Sequence, residues 1–136
     1  MKLLVDNDLP PTLAHSLAPT ASNQGHFVIH MRDKFGTGNI KDPDWLRVLA
    51  KERNWSLLSE DYHILRRPDE LQGMLEASLV CFFLRSAWSK GLDEFTRLGK
   101  LISRFPEIVQ AYETGKRPAA YWVPIKGRIS RIALPR

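Results

Sequence analysis

The sequence predicts one three-layer α/β domain, a mainly parallel central sheet flanked by helices. Three observations carry this. The chain has 136 residues, the length of one ordinary domain. Short apolar runs alternate with stretches of ten or more residues at helical spacing, and such crossovers imply parallel strands. No repeat, low-complexity segment or linker interrupts the alternation, so a single domain over residues 1–136 is expected.

Composition narrows the class further. Hydrophobic residues make up 43% and charged ones 26%, near the globular average, which argues against a disordered tail, a collagen-like chain or a coiled coil. No apolar run approaches the roughly 20 residues that span a bilayer. The opening MKLLVDND turns acidic too early for a signal peptide. Cys81 stands alone inside an apolar run, which leaves no disulfide framework and no thiolate zinc cluster. A soluble, cytoplasmic protein is expected.

From the N-terminus, Lys2–Asp6 (KLLVD) reads as a buried first strand that ends in an acid. Pro10 and Pro11 open a helix to about Ala18, and Pro19 is expected to end it. Phe27–His30 is a second strand after Gly25. Met31–Lys41, with its FGTGN stretch and no apolar periodicity, reads as a loop. Asp42-Pro43-Asp44 starts a helix, with Asp42 as cap, Pro43 in the first turn and Asp44 at the positive end of the dipole. Trp45, Leu46, Leu49 and Ala50 repeat at helical spacing, and Asn54 closes the helix. Trp55–Ser59 is a third strand, Pro68 to about Ala77 a helix, and Leu79–Leu84 the most hydrophobic strand. Leu92–Phe105 and Pro106–Thr114 read as two successive helices. Ala120–Ile125 and Arg128–Leu134 read as late strands that pair about Lys126-Gly127.

Ligands of an open parallel sheet bind beyond the carboxyl ends of its strands. Asp6 and Asp8 lie there after strand one, and Asp61 after strand three. Asp42 and Asp44 begin the helix that leads into strand three. Gathered carboxylates repel and need a cation between them. Oxygen ligands without paired His or Cys suit Mg²⁺ or Mn²⁺, which can orient water and offset charge on a phosphodiester. Each acid also has a simpler job. Asp8 can form a turn, Asp42 can cap, and Asp44 can complement the helix dipole; the pattern does not choose between Asp42 and Asp44. Glu60 points to the other side from its neighbour Asp61.

Charge supports a polyanionic partner. The net charge is +5 and the pI about 9.6. Residues 114–136 hold six basic and no acidic side chains, against nine basic and eight acidic in residues 1–68. Such an end favours nucleic acid through phosphate contacts. Arg66 and Arg67 come soon after Asp61 and are phosphate-contact candidates. Lys126, Arg128 and Arg131 alternate along the last strand, so at most two share a face. Trp88, in the RSAWSKG loop, reads as a core plug or interface residue rather than a base-stacking one. Trp45, Trp55 and Trp122 lie in core-like patterns, and His15, His26 and His30 show no ligand spacing.

Four stretches together resemble a PIN-like domain of the class found in VapC-type toxins. LLVDNDLPPTLAHSL is similar to the family's opening, and GHFVIHMRDKF to its second strand and the loop behind it. KDPDWLRVLAKERNWSLLSED resembles its acid-x-acid-Trp helix and the strand ending Thr/Ser-x-Asp. HILRRPDELQGMLEASLVCFFL and WVPIKGRI resemble the remainder. The resemblance implies a Mg²⁺- or Mn²⁺-dependent ribonuclease. Asp6 and Asp61 would then be metal ligands, and Asp42 or Asp44 a further ligand or water-orienting base. Ser59 would pack beside the site, and the role of Asp8 stays open. It further implies RNA as substrate, a small antitoxin as partner and a possible homodimer. His63 stands where many such domains carry another acid, which leaves two further readings. One is a catalytically silent PIN-like domain that binds RNA or protein. The other is a receiver-like phosphoacceptor domain, with Asp61 as acceptor beside Ser86 and Lys126.

Overall fold

Six strands form one sheet in the order β2-β1-β3-β4-β5-β6. They are β1 (Lys2–Val5), β2 (Phe27–His30), β3 (Trp55–Ser59), β4 (Val80–Leu84), β5 (Ala119–Val123) and β6 (Ser130–Ile132). The first five run parallel, and β6 returns antiparallel to β5 with Trp122 opposite Ser130. The computed structural model describes residues 1–88 and 90–135, and for Asp42 and Ser86 the backbone alone.

Helices cover both faces, as expected for parallel strands buried on both sides. On one face lie α1 (Pro11–Asn23) and α5 (Glu94–Thr114), whose Leu13, Leu17, Leu101, Phe105 and Ile108 pack on Leu3, Val5, Phe82 and Val123. On the other lie α3 (Asp42–Glu52) and α4 (Pro68–Glu76). There Trp45, Leu46, Leu49 and Met74 pack on Leu4, Leu57, Cys81 and Phe83. Trp88 is fully buried and its Nε1–H donates to the Val123 carbonyl at 2.8 Å, so it plugs the core. Among the described residues no helix is long and apolar enough to cross a membrane.

The structure corrects four local expectations. Pro19 does not end α1, which continues to Asn23 with Pro19 inside it. Proline removes one bond, to the His15 carbonyl, but buried Ala21 keeps the next turn packed on the core. Met31–Lys41 is not all loop, because α2 (Met31–Phe35) opens it. Its cap is the His30 ring, which accepts from Arg32 N–H at 3.1 Å. Its stop is Gly36 at φ 72°. Asp42 is not the cap of α3 but its first residue; Lys41 holds the cap position. Finally, Pro106 lies within one continuous α5. Leu101, Phe105, Ile108 and Tyr112 lie on a single buried stripe across it, and that packing outweighs one missing hydrogen bond.

Strand order decides where a site can form. From β1 the chain steps outward to β2, then crosses back over β1 to β3. The loops after β1 and β3 therefore part to opposite faces, the switch point at which open α/β sheets bind ligands.

Candidate active site

Asp6 is held by backbone first. Its N–H donates to the Leu58 carbonyl at 2.9 Å, which extends the β1–β3 ladder by one residue. The side chain is then fixed at both oxygens. Oδ1 accepts from Asn7 N–H at 2.7 Å, and Oδ2 from the Ser59 hydroxyl at 2.8 Å. The loop that carries it is anchored by His30, fully buried at the end of β2, whose Nε2 meets the Leu9 carbonyl at 2.8 Å. Since Nδ1 accepts from Arg32 and a carbonyl can only accept, Nε2 carries the proton in this arrangement. Asn7 Nδ2 donates to the Gly38 carbonyl at 3.0 Å and ties the same loop to the segment before α3.

Ser59, at the end of β3 and only 1% exposed, is the hub. Its Oγ lies 2.8 Å from Asp6 Oδ2 and 3.1 Å from Asp8 Oδ2, and accepts from Asp61 N–H at 2.9 Å. A hydroxyl has one proton, so it satisfies one of the two carboxylates at a time. Asp8 also accepts from Glu60 N–H at 3.0 Å. Desolvation is the largest cause that raises the Asp8 carboxyl above its ordinary value. The bonds from Ser59 and Glu60 oppose it, and the charges of Glu60 and Asp61 add to it. As a whole residue Asp8 is exposed, with Oδ2 turned inward. One buried hydroxyl thus draws two carboxylates from one turn onto a single point.

Asp61 stands beside this pair but is engaged elsewhere. Oδ1 accepts from His63 N–H at 3.2 Å, which caps the 3₁₀ turn Tyr62–Leu65. Oδ2 takes Arg67 Nη1 at 3.0 Å, and Arg67 also reaches Glu70 at 3.0 Å. Asp44 is exposed and pairs with Arg47 at 3.3 Å. The Asp42 side chain lies outside the described residues, as do the side chain of Ser86 and the whole of Ser89. Among the described residues no three of His, Cys, Asp and Glu come together as a metal-ligand set.

Residues 1–86, from β1 through β4, match the family model described as a PIN-like domain. The chain belongs to the PIN-like domain family. No curated protein and no solved structure matches it significantly. PIN-like domains are generally nuclease-related. Membership sets the receiver-like reading aside.

Within this PIN-like domain the predicted site residues separate into groups. Asp6 and Ser59 meet at the switch point, joined there by Asp8, whereas Asp61 touches Ser59 only through its N–H and turns its carboxylate to Arg67. Arg66 turns aside, its guanidinium over the Tyr62 ring at 5.3 Å. Lys126 is exposed in the β5–β6 turn, which buried Arg104 holds through the Ile125 and Gly127 carbonyls. Arg128 lines a groove with Glu107 and Thr114, and Arg131 one with Leu75 and Pro118. Neither groove includes the acids. His63 stacks on Tyr62 at 4.4 Å between centroids.

Three residues at this edge are not singled out by the sequence reading. Arg85 stands directly after β4 and carries the same signal as the acids, a charge at the carboxyl end of a buried strand. Tyr62 has no signal of its own. Trp122 is half-buried rather than fully core: Arg85 lies over its ring at 4.4 Å and Tyr62 meets it edge-on at 5.3 Å.

Proposed function

We propose that this PIN-like domain is a metal-dependent endoribonuclease that hydrolyses RNA phosphodiester bonds. The observation that carries the reading is the convergence of Asp6 and Asp8 on the Ser59 hydroxyl at the β1/β3 switch point. Two inward carboxylate oxygens that share one proton form a locally anionic point, and a cation there relieves their repulsion. The groups that meet at Ser59 present oxygen donors, which fits a hard cation held by one or two carboxylates and water. Bound there, Mg²⁺ or Mn²⁺ would supply charge against the scissile phosphate and acidify a water.

The chain's own groups would divide the remaining work. Asp6 and Asp8 would hold the ion, and Ser59 sets the direction of both carboxylates. Asp42 or Asp44, at the start of α3, would add a ligand or orient water. Arg67 now holds Asp61. An incoming phosphate would draw Arg67 to itself, because guanidinium pairs with phosphate as readily as with carboxylate, and so release Asp61 toward the site. By resemblance the domain would act as the toxin of a toxin–antitoxin pair, with a small antitoxin as its protein partner.

A specific observation favours a second reading, a silent PIN-like domain that binds RNA without cutting it. Asp61 is tied to Arg67, and the described residues form no three-ligand cluster. End-labelled single-stranded and structured RNAs incubated with Mn²⁺, Mg²⁺ or EDTA decide between the two. Cleavage that needs metal and vanishes in Asp6→Asn, with circular dichroism unchanged, is the expected result. No cleavage in either metal and no Mn²⁺ binding by calorimetry would overturn the nuclease reading.

A further inference from the structure

Beside the acids, over the ends of β3, β4 and β5, lies a cleft of about 440 Å³ lined by Glu60, Tyr62, Arg66, Arg85 and Trp122. Register explains why it adjoins the site. Ser59 pairs with Phe83 and Phe83 with Trp122, so the three lie in one row across the sheet. Side chains alternate along strands, which puts Asp6, Ser59, Arg85 and Trp122 on the α3/α4 face. The walls are layers of rings and guanidinium groups: Arg85 over Trp122 at 4.4 Å, Arg66 over Tyr62 at 5.3 Å, and His63 stacked on Tyr62.

The two arginines differ from their neighbour. Arg67 is engaged by two carboxylates. Among the described residues neither Arg66 nor Arg85 has a carboxylate within salt-bridge distance, and both are exposed. Their charge is therefore available to an anion. A phosphate alone does not need rings, and an apolar ligand does not need two cations. A nucleotide uses both, the base against the ring and guanidinium layers and the phosphate at arginine. Glu60 on the wall is acceptor-only, which matches the N–H edge of a base rather than a phosphate. Trp122 is half-buried, and a base stacked within a duplex cannot reach it.

We infer that this cleft seats one unstacked nucleotide of single-stranded RNA adjacent to the bond presented to Asp6 and Asp8. The inference rests on the ribonuclease reading, since it supplies that site with its neighbouring subsite. It assigns Arg66 and Arg85 to phosphate and Trp122 with Arg85 to the base.

Tryptophan fluorescence reads the cleft directly, because Trp45, Trp55 and Trp88 are at most 3% exposed and Trp122 is the accessible one among them. The intact protein is titrated in EDTA with a twelve-nucleotide single-stranded RNA, the same sequence as a duplex, and an oligoglutamate peptide. Quenching by the single strand, lost in Trp122→Phe while binding persists by anisotropy, is expected. Arg66→Ala and Arg85→Ala should each weaken single-strand binding about 10-fold and reduce the salt slope by about 1. RNA binding unaffected by both arginine variants, or quenching that persists in Trp122→Phe, overturns the cleft and leaves the ribonuclease reading standing. Equal response to duplex, or response to oligoglutamate alone, also overturns it, the latter in favour of an acidic protein ligand. Metal-dependent cleavage tested in parallel separates the two failures: its absence, with no RNA bound at all, removes the ribonuclease reading and the cleft together.

Discussion

Replacing Ser59 by alanine removes the atom on which the acidic turn is built. The Oγ donates to a carboxylate and accepts from Asp61 N–H. A hydrogen bond to a charged group is worth roughly 1.5–3 kcal/mol, and a neutral one about 1 kcal/mol. Asp6 and Asp61 are half-buried and Asp8 is exposed, so water restores part of the loss. A net cost of about 2 kcal/mol is expected at neutral pH. Unfolding entropy of roughly 2.1 cal/mol/K per residue gives about 0.29 kcal/mol/K for this chain, so Tm should fall by about 7 °C. The deficit should also depend on pH. Above its raised pKa Asp8 is charged and competes with Asp6 for the one proton; as pH falls through that value it becomes neutral and the repulsion disappears. Thermal unfolding of wild type and Ser59→Ala, measured by circular dichroism in EDTA from about pH 8 to about pH 4, reads both effects. A drop of under about 2 °C at pH 8, or a deficit equal at both ends, would refute the shared-proton account.

The same geometry sets two further outcomes. A folded Asp8 pKa above the ordinary 3.8 means its contribution to stability is present below that value and lost as pH rises through the folded pKa. Asp8→Asn should therefore raise stability at pH 7–8 by less than about 1 kcal/mol, given the exposure and screening of the residue, and the gain should shrink as pH falls through the folded pKa. The same substitution should weaken Mn²⁺ binding by calorimetry. Arg104→Met should destabilise by about 2 kcal/mol in urea unfolding, because Arg104 is 7% exposed and supports the turn carbonyls of Ile125 and Gly127. It should also open residues 124–129 to limited proteolysis, and an unchanged cleavage rate would remove Arg104 from that role.

Much of this protein is legible locally. Phe27–His30 and Trp55–Ser59 coincide with their strands, because short β-prone apolar runs bounded by turn residues have few other ways to bury themselves. The acids after β1 and β3 are legible for the same reason: a charge that ends a buried strand marks the carboxyl edge of the sheet. Proline is the misleading signal. Pro19 and Pro106 both look like stops, but each lies in a helix whose buried stripe continues on both sides, and tertiary packing outweighs one lost bond. The short α2 escapes local reading because its cap is a histidine ring and its five residues are too few to show a period.

Periodicity and the residues that terminate each strand are enough to specify the layers, the parallel sheet and the edge at which charge collects. They also put Asp6 and Asp61 at that edge. Which side chains meet there depends on the folded chain. Asp8 shares Ser59 with Asp6, whereas Asp61 and Asp44 turn to Arg67 and Arg47. Arg66 and Arg85 are left to face a cleft with Trp122. Register is the cause: β1 is aligned to β3, β3 to β4 and β4 to β5 by hydrogen bonds between residues distant in the chain, and a pairing shifted by one residue would turn every one of these side chains to the other face.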